Sequence, residues 1–343
     1  MDIQRVGFGI IGAGMIADLH ARAITQLNNT ALIGVFDLNP DSAAKLAKKF
    51  NCRCYERLEE LLADPMIQAV TIATPSGKHA DVAIPAAQAG KHILCEKPIE
   101  ITLERADAVI KACNENNCLL SPVFQARFSR PVQLVRKAMR DGRFGRMVLA
   151  SAHMRWYREP SYYTASNWRG TWALDGGSMM NQGIHGVDAL LYLFGPAESV
   201  CGYMDTKTHV MEAEDTSVAA VRFKCGALVV IQSTTAAYKG APRIISIVGT
   251  KGSVVITEDT IEKCDVEGVI LEPVVEENGT KNLGHQSPMS ISCEGHKFQI
   301  RDFADAILTG REPAVPLMES RRAVALIQGV YTSARTGMAV KLD

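Results

Sequence analysis

The chain has 343 residues, 47% hydrophobic and 22% charged, which is ordinary for a globular protein and long enough for two domains. Lys plus Arg and Asp plus Glu both number 37, so no net charge favours nucleic acid or an anionic membrane as a partner. Charges interrupt every apolar run before a membrane span is reached, and the first strand begins too early to leave room for a signal peptide. Nine scattered cysteines without metal-ligand spacing predict reduced thiols, no metal site and a cytoplasmic location.

The N-terminal stretch combines the parts of a dinucleotide-binding unit. The apolar run Val6–Ile11 predicts a buried parallel strand. The residues Gly12–Ala17 follow at once and match G-x-G-x-x-[G/A], and apolar residues at helical spacing then continue to Leu27. A second apolar run, residues 31–36, ends in Asp37. Strand, glycine turn, helix and a second strand ending in an acid together predict a Rossmann domain.

Each residue of this motif has a physical reason. Gly12 permits the tight turn, and Gly14 lets the backbone approach a pyrophosphate. The helix that starts at Met15 and Ile16 offers N–H groups and a positive dipole end to the phosphates. The Asp37 carboxylate can accept hydrogen bonds from both ribose hydroxyls, and it would repel a 2′-phosphate. The predicted cofactor is therefore NAD rather than NADP.

The alternation of strands and helices continues to residue 122. Helices are predicted at 41–50, 58–62, 79–89 and 102–116, and strands at 68–73, 92–95 and 118–122. This pattern predicts an α/β fold whose N-terminal domain, residues 1–122, contains a doubly wound parallel sheet. Ligands of such sheets bind beyond the carboxyl ends of the strands, which selects the loops Gly12–Gly14, Thr74–Gly77 and Glu96–Pro98.

Strands dominate the rest of the chain. They are predicted at 147–156, 199–203, 216–223, 228–235, 243–248 and 253–257, with helices at 132–140, 297–308 and 318–334 and an irregular stretch at 272–290. Hairpin-like turns between them predict a C-terminal α+β domain, residues 123–343, with a mainly antiparallel sheet.

Lys97 is a candidate catalytic residue because Glu96-Lys97-Pro98 follows a strand's carboxyl end, where the nicotinamide is expected. Like charge beside an oxidised nicotinamide would lower the pKa of an ammonium group. Lys97 could then donate a proton to a substrate hydroxyl or relay one from it. The alternative is an ordinary surface lysine before a turn.

A second cluster lies on a predicted helix that Ser178 caps and that continues to Phe194. Asn181, His185 and Asp188 are spaced i, i+4 and i+7 on it and form one polar stripe. A histidine there can take the proton of a hydroxyl as hydride leaves its carbon. The alternative is a hydrogen-bonded core histidine.

An aromatic loop precedes this helix. Tyr163, Trp168 and Arg169 lie in it, and such a loop suits a sugar face or a cofactor edge. Trp156 and Trp172 flank the loop and could equally pack beneath the sheet.

Together these motifs resemble the Gfo/Idh/MocA superfamily of sugar and inositol oxidoreductases over essentially the whole chain. The matching segments are Gly12-x-Gly14-x-x-Ala17, Asp37, Thr74-Pro75-Ser76-Gly77-x-His79, Glu96-Lys97-Pro98, Gly176-Gly177 and Asn181-x-x-x-His185-x-x-Asp188. The resemblance implies that Lys97 is the catalytic lysine and His185 the acid/base histidine. It also implies that the C-terminal domain has a large open sheet, binds substrate and forms a homodimer or homotetramer through that sheet. In this family pattern the last helices could pack back on the first domain.

The resemblance extends to the binding residues. The expected cofactor-binding residues are Gly12, Gly14, Met15, Ile16, Asp37, Thr74, Pro75, Ser76, His79, Glu96, Lys97, Gln125, Trp168 and Arg169. The expected substrate-binding residues are Lys97, Tyr163, Asn181 and His185.

One position departs from the inositol dehydrogenases of the family, which carry aspartate where this chain has Asn181. The asparagine form, with Trp168-Arg169 upstream, resembles the branch that oxidises C3 of UDP-N-acetylglucosaminuronate. An asparagine cannot relay a proton, so its expected role is to orient a hydroxyl.

The sequence thus predicts an NAD-dependent oxidoreductase that transfers hydride between nicotinamide and a secondary hydroxyl or ketone of a sugar-like substrate. Two alternatives stay open at this point: an NAD-dependent glycosidase of the same superfamily and a non-catalytic sugar or NAD sensor.

Overall fold

The computed structural model describes residues 4–268, 284–285 and 293–342. The predicted irregular stretch 272–290 lies outside the described residues except for 284 and 285. The chain forms two compact units, residues 1–125 with 293–321 and residues 126–292 with 322–343. A late segment of the chain therefore belongs to the first unit. Among the described helices, none has the length and apolar character that crossing a bilayer requires.

Strands and helices are numbered in chain order. The strands within the described residues are β1 Val6–Ile11, β2 Thr30–Phe36, β3 Arg53–Cys54, β4 Ala69–Ile72, β5 His92–Cys95, β6 Leu120–Pro122, β7 Met147–Arg155, β8 Ala197–Asp205, β9 Thr216–Phe223, β10 Leu228–Thr234, β11 Ile244–Gly249, β12 Gly252–Thr257, β13 Thr260–Val266 and β14 Val340–Lys341. The α-helices within them are α1 Met15–Thr25, α2 Pro40–Phe50, α3 Leu58–Ala63, α4 His79–Gln88, α5 Leu103–Glu115, α6 Arg130–Arg140, α7 Pro160–Thr164, α8 Ile184–Phe194, α9 Glu294–Thr309 and α10 Leu317–Thr336.

The first unit contains a parallel sheet of order β3-β2-β1-β4-β5-β6. This is the doubly wound order, and the predicted Rossmann fold is confirmed. All six residues of β1 are buried, as its unbroken apolar run requires of a strand covered on both faces. The order reverses between β1 and β4, so a crevice for ligands is expected where β1 ends.

Helix starts and ends in this unit follow local chemistry. Asn39 caps α2 by accepting hydrogen bonds from the N–H groups of Asp41 and Ser42. Thr102 caps α5, because its Oγ1 accepts the Arg105 N–H at 3.3 Å. Helix α9 packs on the same sheet, and its Phe303 ring lies 6.5 Å from that of Phe8 in β1.

The second unit contains an eight-stranded sheet of order β13-β12-β11-β7-β10-β9-β8-β14. All neighbours are antiparallel except β7 and β10, so the predicted open, mainly antiparallel sheet is confirmed. Helix α8 approaches β7 closely at Gly186, where a Cβ atom would lie 2.2 Å from Met154 Sδ. One face of the sheet is therefore covered by the helix in which His185 lies.

Candidate active site

The glycine turn after β1 has the geometry that its motif predicts. Gly12 has φ +98°, and a Cβ atom there would lie 2.7 Å from the Ala73 carbonyl, so only glycine fits. At Gly14 a Cβ atom would meet no protein atom within 4 Å, so the backbone faces open space. Asp37 Oδ2 accepts the Ala13 N–H at 2.6 Å, and Oδ1 accepts the Asn39 N–H at 2.7 Å. The acid at the end of β2 thus ties the glycine turn to the start of the segment that leads into α2.

The loop after β4 is tied to the loop after β5 by His79. Its Nδ1 lies 2.7 Å from the Pro98 carbonyl oxygen and its Nε2 lies 3.0 Å from that of Thr74. Burial lowers the pKa of His79. His79 therefore influences the site by fixing the positions of the loops after β4 and β5.

Two polar atoms at the same edge of the sheet point to a ligand. Thr74 Oγ1 and Gln125 Oε1 are buried and have no hydrogen-bond partner within the described residues. Buried polar atoms are rarely left without a partner in folded proteins. Both residues are among those predicted to bind the cofactor, and a bound nicotinamide nucleotide would offer partners to both. With the open space at Gly14, this chemistry fits NAD.

Glu96 and Lys97 have different environments although they are neighbours. Glu96 is buried, with Oε1 2.7 Å from His20 Nε2 and 3.7 Å from His296 Nε2. Its Oε2 accepts the Lys97 N–H at 3.3 Å. Although burial raises it, the two histidines hold the pKa of Glu96 well below its usual range. The ionised carboxylate therefore fixes the backbone at Lys97, whose side chain is half-buried.

The segment 176–191 contains the second group of predicted site residues. Every residue of it is buried except Asn181 and His185, which are half-buried. Residues 179–183 form one wide π-helical turn before α8 begins at Ile184. Asn181 lies in the wide turn and His185 in the first turn of α8, and both are accessible in an otherwise buried segment.

Two details of the predicted helix are wrong. Ser178 makes no cap hydrogen bond to the helix, because its hydroxyl donates instead to Glu214 Oε2 at 2.6 Å. Asp188, the third residue of the predicted polar stripe, does not face the same surroundings as His185. It is 1% exposed, and it binds the Arg127 guanidinium through both carboxylate oxygens.

Glu214 anchors the start of this segment. Its Oε1 accepts the Met179 N–H at 2.8 Å and the Tyr331 hydroxyl at 2.9 Å, and the Tyr331 oxygen accepts the Met180 N–H at 3.2 Å. Burial raises the pKa of Glu214 to about 7, although its three donors lower it. Gly177 allows this approach, since a Cβ atom there would lie 2.4 Å from Glu214 Oε1.

The aromatic loop is partly packed and partly open. Tyr163 is 4% exposed, and its hydroxyl lies 2.8 Å from Thr235 Oγ1. Arg169 stacks on Tyr162 at 4.2 Å and lies 5.3 Å from the Trp168 ring centre. Tyr163 and Arg169 also line an open cavity of about 370 Å³. Trp156 lies beside the second cluster, with its ring centre 6.3 Å from that of His185.

Sequence reasoning did not single out four buried residues that contact the candidate-site segments: His20, His296, Asp175 and Glu214. His20 lies three residues after the glycine motif, and Asp175 directly precedes Gly176-Gly177, so their places near motifs were a usable signal. No such signal marks Glu214 or His296, because each contacts a residue that is far away along the chain.

Known proteins resemble this chain in sequence and in fold. A model described as oxidoreductase family, NAD-binding Rossmann fold, matches residues 6–124, and the GFO/IDH/MocA C-terminal domain model matches residues 132–255. The structure of the WlbA dehydrogenase from Bordetella pertussis, in complex with NADH and UDP-GlcNAcA, is 34% identical with a TM-score of 0.89, over 100% of this chain and 99% of that chain. Myo-inositol 2-dehydrogenase of Thermotoga maritima is 25% identical over 98% of both chains. Inositol 2-dehydrogenase of Rhizobium meliloti is 28% identical over 96% of both.

Proposed function

The chain belongs to the Gfo/Idh/MocA family of oxidoreductases, and from that premise we propose that Lys97 and His185 are its polar catalytic pair. The enzyme is an NAD-dependent oxidoreductase that acts on a CH–OH group of a sugar-like substrate. The observation that carries the proposal is that Asn181 and His185 alone retain exposure between residues 176 and 191. Polar side chains that stay partly exposed in an otherwise buried segment require an explanation, and contact with substrate provides one.

The cofactor-binding residues fall into groups by chemistry. The turn Gly12–Gly14 and the first N–H groups of α1, at Met15 and Ile16, would hold the pyrophosphate. Asp37 would bind the ribose hydroxyls. Thr74 and Gln125 offer the two buried polar atoms that lack partners, and Pro75, Ser76 and His79 shape the loop beside them. NAD, when bound, accepts the hydride.

The protein's own part in the reaction is proton transfer and orientation. In the oxidation direction, the His185 imidazole takes the hydroxyl proton as the C–H bond breaks. The Lys97 ammonium group polarises the same oxygen, and Glu96 keeps Lys97 in place through the backbone. Asn181 has no proton to relay, so it orients a substrate hydroxyl.

A nucleotide-sugar uronate is the proposed substrate class. The WlbA structure to which this chain is 34% identical has UDP-GlcNAcA as its stated ligand. Asn181 replaces the aspartate that inositol dehydrogenases of the family carry, which weighs against inositol. Trp168 and Arg169 are proposed to contact the cofactor, and Tyr163 to support the substrate side from its packed position.

The test is to mix the purified protein with NAD and a panel of UDP-sugars, sugar acids, inositols and free sugars. We expect a rise in reduced-cofactor absorbance with UDP-sugar acids. Lys97→Ala and His185→Ala should each lower turnover by about 100-fold or more yet bind NADH as the wild type does. Lys111→Ala, at an exposed lysine, and His153→Ala, at a half-buried histidine of β7, are matched controls that should keep full turnover.

Two outcomes would contradict the proposal. Wild-type turnover in both Lys97→Ala and His185→Ala would remove their catalytic roles. NADH binding without cofactor reduction by any panel member would favour the glycosidase or sensor alternative.

We also propose a homo-oligomer, formed through the face of the second sheet that lies opposite α8. That face presents Leu149, Val218, Leu228 and Val230, which are between 39% and 48% exposed. Contiguous exposed apolar residues on one face are typical of a protein interface. A cytoplasmic location is proposed as well, since all nine cysteines are free thiols, which suits a reducing compartment.

A further inference from the structure

A buried carboxylate lies directly behind Asn181. Asp175 is 1% exposed, and its Oδ2 accepts the Gly170 N–H at 2.7 Å. Its Oδ1 accepts a hydrogen bond from Asn181 Nδ2. Both residues belong to the second unit, and the contact links the aromatic loop to the wide turn before α8.

This contact determines which way the amide of Asn181 faces. Asn181 donates this hydrogen bond through Nδ2, so the amide nitrogen is turned toward Asp175. The amide oxygen lies on the other side of the same planar group. Asp175 is buried and Asn181 is not, so the oxygen belongs to the more accessible end of the pair.

We propose that Asp175 is a positioning residue that holds the Asn181 amide with its oxygen toward the substrate, so that Asn181 accepts a hydrogen bond from a substrate hydroxyl. This inference rests on the proposed function and deepens it. It also gives a physical reason for asparagine at position 181. An aspartate there would put two carboxylates in contact, and one of them would have to bind a proton.

Exchanging the two side chains separates positioning from a merely structural role. In Asp175→Asn, the amide at 175 can still accept the Gly170 N–H, but it presents an NH₂ group to Asn181. The Asn181 amide then flips, the hydrogen bonds of residue 175 to Gly170 and to residue 181 are kept, and the substrate meets a donor in place of an acceptor. In the double variant Asp175→Asn with Asn181→Asp, the amide at 175 donates to the carboxylate at 181, and an oxygen again faces the substrate.

The experiment measures kcat, KM, NADH affinity and Tm for the wild type, both single variants and the double variant. We expect each single variant to lower kcat/KM by about tenfold or more, the size of a lost hydrogen bond to a charged or buried group. The Tm of Asp175→Asn should stay near that of the wild type. The double variant should recover most of the loss, and NADH affinity should be unchanged throughout. Asp205→Asn, at an exposed aspartate of β8, is the matched control.

The outcomes distinguish this inference from the proposed function. An active wild type with Asp175→Asn equally active would overturn the positioning role and leave the function intact. A loss of Tm in Asp175→Asn, with unchanged kcat/KM in the folded enzyme, would assign Asp175 a structural role only. If the Asn181→Asp single variant fails to fold, recovery of folding and turnover in the double variant still supports the pairing, and absence of both contradicts it. A wild type that binds NADH but oxidises no sugar overturns the function and the inference together.

Discussion

Asp188 and His185 lie one turn apart on α8, yet their surroundings give them opposite tasks. Arg127 Nε lies 3.1 Å from Asp188 Oδ1 and 2.9 Å from Oδ2, and the two side chains are 3% and 1% exposed. The ring of Tyr192 covers the guanidinium at 4.8 Å. A pair so completely removed from water cannot exchange protons with substrate. It attaches α8 to the short turn before α6.

We therefore predict that Asp188→Asn destabilises the protein without removing its chemistry. The substitution leaves a buried guanidinium without its counter-charge, which costs about 3 kcal/mol of unfolding free energy. Denaturant unfolding would measure this change, and kcat of the folded variant should stay within about threefold of the wild type. The control is Asp205→Asn, whose exposed pair with Lys207 is worth less than about 1 kcal/mol. Equal stability of the two variants would contradict the structural role of Asp188.

At the scale of elements, the start of the helical segment depends on Glu214. Ser178, Met179 and Tyr331 all donate to its buried carboxyl group. A carboxyl group in this place is stable in the protonated state, since burial raises its pKa from 4.5 to about 7. Because the folded protein then binds the proton more tightly than the unfolded chain, this group stabilises the fold below its unfolded pKa. That contribution is lost as the pH rises through about 7.

Glu214→Gln tests this linkage. Glutamine keeps the shape and can satisfy the same partners, but it does not titrate. The difference in Tm, wild type minus Glu214→Gln, should fall as the pH rises from 4.5 to about 7 and should level off above that pH. Scanning calorimetry across this range measures the difference. Glu198→Gln, at an exposed glutamate of β8, should show no such trend, and a pH-independent difference for Glu214→Gln would contradict the raised pKa.

The elements themselves were predictable where the sequence pattern is local. Strands β1, β5 and β9 have the predicted bounds because an apolar or alternating run is closed by glycine or a charged residue at each end. Strands β3 and β14 have two residues each, too few for any period to show. β13 is mostly accessible along its length, so it lacks the alternation that marks a half-buried strand. Edge strands of this kind are defined by their neighbours, which a single sequence does not display.

The same distinction applies to the site. The conformation of the glycine turn, the place of Asp37 after β2 and the helical place of His185 were predictable, because each lies in a motif whose spacing has a local reason. The role of Ser178 was predicted wrongly because serine before a helix usually caps it, whereas here Glu214, 36 residues later, takes the hydroxyl. His296 reaches Glu96 across 200 positions of sequence, a contact with no local pattern. Long-range partners of buried charges are therefore what sequence reasoning misses.

At the scale of the whole molecule, the second sheet has one face that none of the described helices or strands of its own unit covers. In β10, Val229 and Ile231 are at most 1% exposed, while Leu228 and Val230 on the other face are 47% and 39% exposed. Val230 is paired with Ala220 of β9 and Ser151 of β7, so small side chains surround it. A flat apolar surface of this kind suits a second copy of the same face, because a two-fold axis makes each patch complementary to itself.

We predict that Val230→Lys breaks the oligomer. A two-fold interface brings both substituted residues into it, so one substitution buries two ammonium groups without counter-charges. Light scattering after gel filtration should show a homo-oligomer for the wild type and a smaller species for Val230→Lys. The Tm of the Val230→Lys subunit should stay within a few degrees of the wild-type Tm. Val210→Lys is the control, because Val210 is 89% exposed on a loop outside the sheet and should leave the mass unchanged. A wild type that is already monomeric, or a Val230→Lys protein of wild-type mass, would show that this face does not join the subunits, and the apolar residues on it would then need another partner.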